Sequence, residues 1–417
     1  MNLDCEVLVI GAGPTGLAVG CELRRRGTDV LVAEKAAGID PRARAVMVHA
    51  GALEWLDGHG LRTRIESAGL RRDRIVFHVG TGAGAGEGIG TGESYTVDFT
   101  DLPTPHPYYV NVPQPEVERV LEEAYLGLGG RLLRGAAYTG HREEPGHLVA
   151  ELAGPEPGGP GRAGPDPADP GQAGPVRVRA RYLVGADGAG STVRDRLGLA
   201  FPGTTHPAPY LLCEGTPGPA TDVDPTGSAM FVGPAGAVSV LPLPGGRLRI
   251  AGPVTADVPD GDEALTLDAF RAAVDGLGFG DRLRMDTVGR LARYRVHERL
   301  ADRFRVGRAL LAGDAAHLNP PAGGQAMNTG FADAADLAAR LEDVLSGAPA
   351  GVLDGYEAVR RPAAARVARS TRVADLLQAM RDAATGTERA FVRGALSGLA
   401  REWSQLPAGA ARREVAR

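Results

Sequence analysis

A segment close to the N-terminus restricts the fold of this chain more than any other. Glu6–Ile10 (EVLVI) is a short, mostly apolar run, which is typical of a buried parallel strand. The turn GAGPTG follows at residues 11–16, and a helical pattern then continues through Arg26. A second apolar run, Val30–Ala33, ends in Glu34. This order of strand, glycine-rich turn, helix and strand predicts the βαβ unit of a dinucleotide-binding sheet.

Each residue type in this unit has a physical role. Gly11 allows the turn, Gly13 lets a pyrophosphate approach the backbone, and Gly16 lets the helix pack closely on the strand. Glu34 comes 18 residues after Gly16, where a carboxylate binds both hydroxyls of an adenosine ribose and disfavours a 2′-phosphate. The segment therefore predicts a site for FAD or NAD rather than NADP. The same predicted site includes Pro14, Thr15 and Lys35.

A second informative segment, Ala309–Gly330, places a carboxylate before glycines and a helix. A short apolar strand leads to Asp314, and Gly323 and Gly324 precede a helical pattern over Gln325–Leu341. A carboxylate at a strand end accepts hydrogen bonds from sugar-like hydroxyls. The start of a helix offers unpaired N–H groups and the positive end of its dipole. The pattern suits a polyol-linked ring that can carry negative charge, such as a reduced flavin, although strand–Asp–Gly–helix is often purely structural.

A third segment repeats this arrangement at Tyr182–Ser191 (YLVGADGAGS). An apolar strand ends in Asp187-Gly188 and is followed by a predicted short helix, Ser191–Leu197, which includes Arg194. Asp187 is either a helix cap or a ligand contact, and the segment alone favours the cap.

Together these segments resemble the para-hydroxybenzoate hydroxylase-like (group A) family of FAD-dependent monooxygenases. The resemblance covers roughly residues 5–375 and is carried by GAGPTG with Glu34, YLVGADGAGSTVR and GRALLAGDAAHLNPPAGGQAMNTG. The segments PRARA (residues 41–45) and VPQPEVERVL (residues 112–121) agree with it. The resemblance implies an α/β fold, with a Rossmann-like FAD-binding domain interlocked with a β-sheet substrate domain and followed by C-terminal helices.

The resemblance also assigns roles in binding non-covalent FAD. Arg44, with Arg42, neutralises the phosphates, Gln114 contacts the ribitol side, and Asp314 holds ribitol hydroxyls. Asp187 belongs to the motif that the family shares between FAD and nicotinamide contacts. Backbone N–H groups near Met327 and Asn328 face the N1–C2 edge of the flavin. Further residues placed at the cofactor are Gly313, Pro321, Gly323 and Gly324.

The chemistry implied by the family starts with NADPH or NADH, which reduces FAD. O2 then adds at flavin C4a, and the resulting hydroperoxide delivers one oxygen atom to an aromatic or polyketide-like substrate. Such hydroxylases often need a base for a phenol. No spacing singles out a catalytic residue, and the candidates in cavity-like segments are His206, Tyr210, Arg293 and Tyr294. No metal site is predicted.

Several of these residues also have simpler interpretations. Arg42 and Arg44 are compatible with a solvated basic turn, and Gln114 with a helix N-terminal residue that binds no ligand. His317, beside Asp314, is interpreted as a structural histidine rather than a catalyst. The chain departs from the family at Ala326, where glycine is usual, and the extra methyl group is expected to affect the position or motion of the flavin ring.

Other functional classes remain open on the sequence. One is another flavin enzyme on this fold, such as an epoxidase, a Baeyer–Villiger oxygenase or a reductase. A second is an NAD dehydrogenase that uses the first motif alone, which leaves the Asp314 segment unexplained. The third is a non-catalytic flavin-binding protein. The Trp-x-Trp-x-Ile-Pro element of flavin halogenases is absent, since Trp55 and Trp403 stand alone.

Composition and organisation agree with a large enzyme. The chain has 417 residues, 43% of them hydrophobic, a net charge of −5 and three distant cysteines. We expect no nucleic-acid or membrane partner, a cytoplasmic location, reduced thiols, and a monomer or homodimer. The predicted units are an FAD-binding domain at 1–70, 101–200 and 285–350, a substrate domain at 71–100 and 201–284, C-terminal helices at 351–417, and a disordered Gly/Pro-rich insertion at 153–175.

Overall fold

The fold is described from a computed structural model of the chain. The structure describes residues 2–42, 44–79, 94–154, 176–219, 221, 227–233, 236–253, 265–280, 282–370, 376, 379 and 386–404. The glycine-rich loop tip expected at Gly80–Gly92 and nearly all of the insertion expected at 153–175 lie outside these residues.

The strands, in chain order, are β1 (Asn2–Ile10), β2 (Val30–Glu34), β3 (Met47–Val48), β4 (Leu70–Arg72), β5 (Arg74–Val79), β6 (Ser94–Asp98), β7 (Tyr109–Asn111), β8 (Arg131–Arg134), β9 (Ala137–Glu144), β10 (His147–Ala153), β11 (Val176–Gly185), β12 (Gly203–Thr205), β13 (Tyr210–Pro217), β14 (Ser228–Gly233), β15 (Gly236–Leu243), β16 (Arg247–Pro253), β17 (Met285–Tyr294), β18 (His297–Leu300), β19 (Arg305–Val306), β20 (Ala309–Leu311) and β21 (His317–Leu318). The helices are α1 (Pro14–Arg25), α2 (Ala50–Gly58), α3 (Arg62–Ala68), α4 (Gln114–Gly127), α5 (Thr192–Arg196), α6 (Leu267–Gly276), α7 (Gln325–Leu345), α8 (Asp354–Ser370) and α9 (Gly386–Ser404).

The nucleotide-binding half is built on an eight-stranded sheet. Its main order is β19-β20-β11-β1-β2-β8, with the hairpin β9–β10 paired to the first half of β11. The burial pattern of strand β11 reflects its neighbours in this sheet. Its first residues alternate between buried and exposed where β10 covers them, and Leu183–Gly185 form a continuous buried run between β1 and β20. Strands β1, β2, β8, β11 and β20 pair in parallel, as the βαβ pattern predicts.

The second half is a seven-stranded sheet in the order β17-β13-β16-β15-β14-β5-β6. Alternate residues of its strands, such as Leu211, Val238 and Ile250, form a hydrophobic core together with Phe270 of α6. The residues of opposite parity face the nucleotide-binding half. The sheet is therefore packed on one face and open to a cavity on the other.

One boundary predicted from the sequence is wrong. The sequence predicts residues 285–294 in the FAD-binding half, but they form β17, which pairs with β13 from Pro217↔Met285 to Tyr210↔Tyr294. The apolar pattern alone could not distinguish the two sheets, because strand pairing at this separation is a tertiary property. The nucleotide-binding half resumes after this strand, at β20 and α7.

Two three-stranded sheets, β3-β7-β4 and β12-β18-β21, lie beside the two main sheets. Helix α9 packs on β6, and its Trp403 joins a buried cluster that includes Phe77, Tyr95 and Phe99. The C-terminal helical segment thus contributes to the core around the second sheet. None of the helices in the described part of the chain is both long and apolar enough to cross a membrane.

Candidate active site

A cavity of about 2340 Å³ lies between the two main sheets. The separated sequence motifs meet at this cavity, which is also lined by the open face of the seven-stranded sheet. Predicted cofactor residues in its lining are Gly11, Gly13, Pro14, Thr15, Glu34, Lys35, Arg42, Arg44, Gln114, Asp187, Asp314, Pro321, Gly323, Gly324 and Met327. The four candidate catalytic residues, His206, Tyr210, Arg293 and Tyr294, also line it. Gly16, Gly313 and Asn328 do not reach the lining, because they pack behind it.

The glycine-rich turn has the geometry that its sequence predicts. Gly11 has a φ of +105°, and a Cβ at this position would lie 2.3 Å from the carbonyl oxygen of Ala186. A Cβ at Gly16 would lie 1.9 Å from the carbonyl oxygen of Gly11. A Cβ at Gly13 meets nothing within 4 Å. Gly11 and Gly16 are therefore required by packing, whereas Gly13 leaves open space on the cavity side, as a diphosphate against the backbone requires.

The carboxylate of Glu34 is fixed by backbone N–H groups at the end of β2. One of its oxygens accepts from the Ala12 N–H and the other from the Ala36 N–H, both at 2.8 Å. Each oxygen retains a further lone pair. A side chain held in this way beside the glycine-rich turn fits the two adjacent hydroxyls of a ribose.

The turn that contains Gly313 and Asp314 rests on a buried ionic network. Asp333 accepts from the Gly313 N–H at 3.0 Å, from His317 Nε2 at 2.6 Å and from Arg360 Nε at 2.7 Å. Although burial acts to raise the pKa of Asp333, His317 and Arg360 outweigh it and hold this pKa at about 2. The interpretation of His317 as a structural histidine is consistent with this contact, which turns its ring toward Asp333.

Asp314 itself faces the cavity. Burial raises the pKa of its carboxyl, and His317 and Arg44 act in the opposite direction. Gly313, with a φ of +60°, has no room for a side chain, because a Cβ would lie 2.5 Å from Thr15 Oγ1. The turn therefore brings the Asp314 carboxylate beside the N-terminal motif, where it can accept hydrogen bonds from a polyol.

The start of α7 faces the cavity through Gln325, Ala326 and Met327. Gly324 precedes the helix in a left-handed conformation, with a φ of +64°. The first-turn N–H groups of a helix lack partners within the helix, so this end of α7 is suited to an anionic ring edge. Ala326, at the departure from the family pattern, lines the cavity at this turn.

The side chain of Asn328 binds backbone groups around the start of α7 and does not line the cavity. Its oxygen accepts from the His49 N–H at 2.8 Å, and its amide donates to the carbonyl oxygens of Met47 at 2.9 Å and Gly324 at 2.7 Å. The assigned flavin contact of Asn328 through its backbone N–H stays a prediction.

The two arginines near the predicted phosphate position differ in their contacts. Arg42 is exposed and pairs with Asp40 at 2.8 Å, and this pairing lowers the pKa of Asp40 to about 2. The side chain of Arg44 is exposed at the cavity, while its carbonyl oxygen accepts from Arg249 at 2.9 Å. Arg44 is thus better placed than Arg42 to meet a phosphate.

Gln114 and Asp187 have protein partners as well as cavity exposure. Gln114 accepts from the Ala45 N–H at 3.0 Å and donates to Glu118 at 2.8 Å. Asp187 accepts from Ser191 Oγ at 2.5 Å and from the Val193 N–H at 3.1 Å. These contacts agree with the helix-terminal interpretations of both residues, and their predicted ligand contacts remain untested.

Among the candidate catalytic residues, Tyr210 and Tyr294 are brought together. They are directly opposed on β13 and β17, and their ring centroids lie 5.7 Å apart. Burial raises the pKa of both phenols, and for Tyr294 the neighbouring Tyr210 adds to the rise. The two side chains are therefore hydrogen-bond donors at neutral pH. His206 is exposed at the cavity and lies 6.4 Å from the Tyr210 ring.

Sequence reasoning missed a buried ion pair in the cavity wall. Glu214 on β13 and Arg249 on β16 are 9% and 4% exposed, and Arg249 Nε donates to Glu214 at 2.8 Å. Charged residues inside apolar strands were a usable signal, but their pairing required the strand register. His49 and Trp403, which lie beside Gly323, were also missed because nothing local connects them to the site.

Known proteins resemble this chain along most of its length. The FAD binding domain family matches residues 4–371, and the chain belongs to this family. A 12-dehydrotetracycline 5-monooxygenase/anhydrotetracycline 6-monooxygenase from Streptomyces rimosus is 35% identical over 387 residues, covering 89% of this chain and 69% of that protein. A rifampicin monooxygenase from Rhodococcus hoagii is 33% identical, covering 88% and 70%.

A solved structure agrees with these relatives. An anhydrotetracycline hydroxylase from Streptomyces rimosus superposes with a TM-score of 0.73 and 32% identity, covering 96% of this chain and 76% of that one. The para-hydroxybenzoate hydroxylase-like fold and family predicted from the motifs are confirmed, and the chain is an FAD-dependent monooxygenase of this family.

Proposed function

We propose that this enzyme uses NADPH or NADH and O2 to insert one oxygen atom into a polycyclic aromatic or polyketide-like phenol. The observation that carries the proposal is the continuity of the cavity. Gly13, Glu34 and Asp314, which fit a flavin dinucleotide, line the same space as the open face of the seven-stranded sheet. A substrate on that face lies beside the place where the motifs would hold the flavin.

The open face of the sheet supports a wide, flat substrate. Small side chains recur on neighbouring strands where they line the cavity, namely Ser228, Ala237, Ser239, Ala251 and Ala292. Between bulkier lining residues of the same sheet, such as Leu212, Met230 and Leu241, these small side chains leave a floor with space for a flat ring system. The cavity also exceeds the roughly 300–1,000 Å³ of common small-molecule pockets, which leaves room for a multi-ring molecule beside a dinucleotide.

Residues of this chain would orient the substrate and stabilise charge. Tyr294, with Tyr210 against it, donates a hydrogen bond to a phenolic or quinone oxygen at the edge of the floor. The first turn of α7 stabilises negative charge at the edge of the flavin ring, and Asp314 holds the ribitol chain. When bound, FAD supplies the redox chemistry that couples nicotinamide oxidation to the activation of O2.

The proposal is tested by measuring oxygen uptake and NADPH or NADH oxidation with phenolic and polyketide-like compounds. We expect a multi-ring phenol to accelerate both, and the product mass to increase by one oxygen atom. Nicotinamide oxidation without oxygen incorporation would indicate a reductase or an uncoupled oxidase. An unresponsive yellow protein would instead indicate a flavin-binding protein without this activity.

A variant with a larger side chain in this floor tests whether the substrate binds there. Ala251→Phe adds a ring to the floor on β16, a strand that carries none of the predicted FAD residues, so we expect a KM increase for multi-ring substrates of about tenfold or more, with unchanged FAD content. An unchanged KM would contradict the proposed position of the substrate.

A further inference from the structure

The loop before α7 has a backbone that needs support from outside. Gly323 and Gly324 both adopt left-handed conformations, with φ of +73° and +64°, and both line the cavity. Two consecutive residues of this kind are flexible in an isolated chain. The first turn of α7 follows immediately, so the orientation of its free N–H groups depends on how this glycine pair is held.

His49, at the N-terminus of α2, holds the glycine pair from behind. Its Nε2 lies 2.6 Å from the Gly323 carbonyl oxygen. Because a carbonyl oxygen can only accept, Nε2 carries the proton. The ring is fully buried, and burial lowers its pKa to about 4, so it is neutral at ordinary pH. Among the described residues, its Nδ1 has no hydrogen-bond partner.

Residues 47–49 also hold the end of the loop where α7 begins. The His49 N–H donates to Asn328, whose amide donates to the carbonyl oxygens of Met47 and Gly324. Residues 47–49 therefore contact both Gly323 and the first turn of α7. These contacts span more than 270 positions of the chain, so they fix one half of the site relative to the other.

Aromatic packing fixes the ring of His49 in turn. It stacks on Phe99 at 5.8 Å and lies 5.8 Å from Tyr109 and 6.2 Å from Trp403. The indole of Trp403 also covers Gly323, where a Cβ would lie 2.5 Å from its Cε2. The imidazole and the indole thus hold Gly323 from two directions, and α9 becomes part of the wall of the cavity.

We propose that His49 is a positioning residue for the flavin. By donating to the Gly323 carbonyl oxygen, it holds the glycine pair in the orientation in which the first-turn N–H groups of α7 face the flavin ring. The inference rests on the proposed position of that ring. Its test measures FAD binding rather than turnover, so a failure of oxygenation and a failure of this inference are distinguishable.

The test compares three variants by FAD titration of the apoprotein, with the visible flavin spectrum and apoprotein Tm recorded in parallel. His49→Leu removes the donor, and we expect the Kd for FAD to rise about tenfold with a changed flavin spectrum. His49→Gln retains an N–H group at similar reach and should stay within about threefold of wild type.

His59→Leu is the matched control, because His59 Nδ1 lies 2.8 Å from the Trp55 carbonyl oxygen, outside the cavity lining. It should lower Tm without changing the Kd for FAD.

Two results would overturn the proposal. One is a folded His49→Leu protein with wild-type Kd and spectrum. The other is a His49→Gln protein as weak as His49→Leu, which would show that ring packing and not the hydrogen bond matters. If His49→Leu does not fold, His49→Asn decides the question, since its shorter amide cannot reach Gly323. A wild-type Kd for that variant also refutes the proposal.

Discussion

Arg360→Met should strongly destabilise this enzyme, because it removes a cation from a buried carboxylate. Asp333 has no solvent exposure and Arg360 is 2% exposed, so water cannot readily replace the guanidinium. Removing one partner of such a buried pair costs about 3–5 kcal/mol. In a thermal scan followed by circular dichroism, this corresponds to a Tm lower by roughly 3–6 °C for a chain of 417 residues.

The same variant has a pH signature. The pKa of Asp333 stands at about 2 against its ordinary value of 3.8, a difference that corresponds to about 2 kcal/mol. Because this pKa is depressed in the folded state, the stability is complete above pH 3.8 and is lost as the pH falls through 2. Without Arg360 the pKa of Asp333 rises. The Asp333-linked fall in Tm between pH 3.8 and 2 should therefore be smaller in the variant, so its Tm deficit relative to the wild type should narrow as the pH falls.

Two controls decide whether an uncompensated charge is the cause. Arg361→Met removes the neighbouring arginine, whose Nε donates to the Ala301 carbonyl oxygen at 3.1 Å, and should cost only about 1 kcal/mol. The double variant Asp333→Asn/Arg360→Met removes both charges and should recover at least about half of the lost Tm. A double variant no more stable than Arg360→Met alone would refute this reasoning, since lost packing would then explain the effect.

The remaining predictions concern the cofactor and the substrate. Asp314→Ala should stay folded and bind FAD about tenfold or more weakly, and full flavin content in the purified variant would contradict its role. Gly13→Ala should weaken FAD binding without lowering the apoprotein Tm, whereas Gly11→Ala should lower Tm through overlap with Ala186. Tyr294→Phe should lower kcat about tenfold or more, with the Kd for FAD unchanged; an unaltered kcat would exclude the proposed hydrogen bond.

The cofactor motifs were predictable because their constraints are local. The turn at Gly11–Gly16 requires particular residue types within one βαβ unit, and α1 begins at Pro14, a residue favoured in the first turn of a helix. The end of the strand before Asp187 and the short helix after it were likewise predictable to within a residue or two, whereas the strand begins six residues earlier than its apolar run, at Val176. In both segments the backbone conformation and the chemistry depend on the same few neighbours.

The supports of the site were not predictable, because they join residues remote in sequence. His49 and Gly323 are 274 positions apart, and Glu214 and Arg249 are paired across two strands. Neither periodicity nor residue type identifies such a pair before the strands are in register. The misassigned strand β17 has the same cause, since its sequence suits either sheet.

The substrate floor shows why recognition of the family leaves the substrate open. In strands β15 and β16, Val238, Val240, Leu248 and Ile250 face the core, and the alternate residues face the cavity. The core residues can be recognised in the sequence by their hydrophobicity. The alanines and serines at the cavity positions cannot be distinguished in the sequence from ordinary surface residues. Because side chains alternate along a strand, a register slip of one residue would move this floor into the core. The shape available to the substrate is thus set by strand pairing. The small side chains can be recognised as part of a substrate cavity only when the sheet is assembled opposite the cofactor motifs.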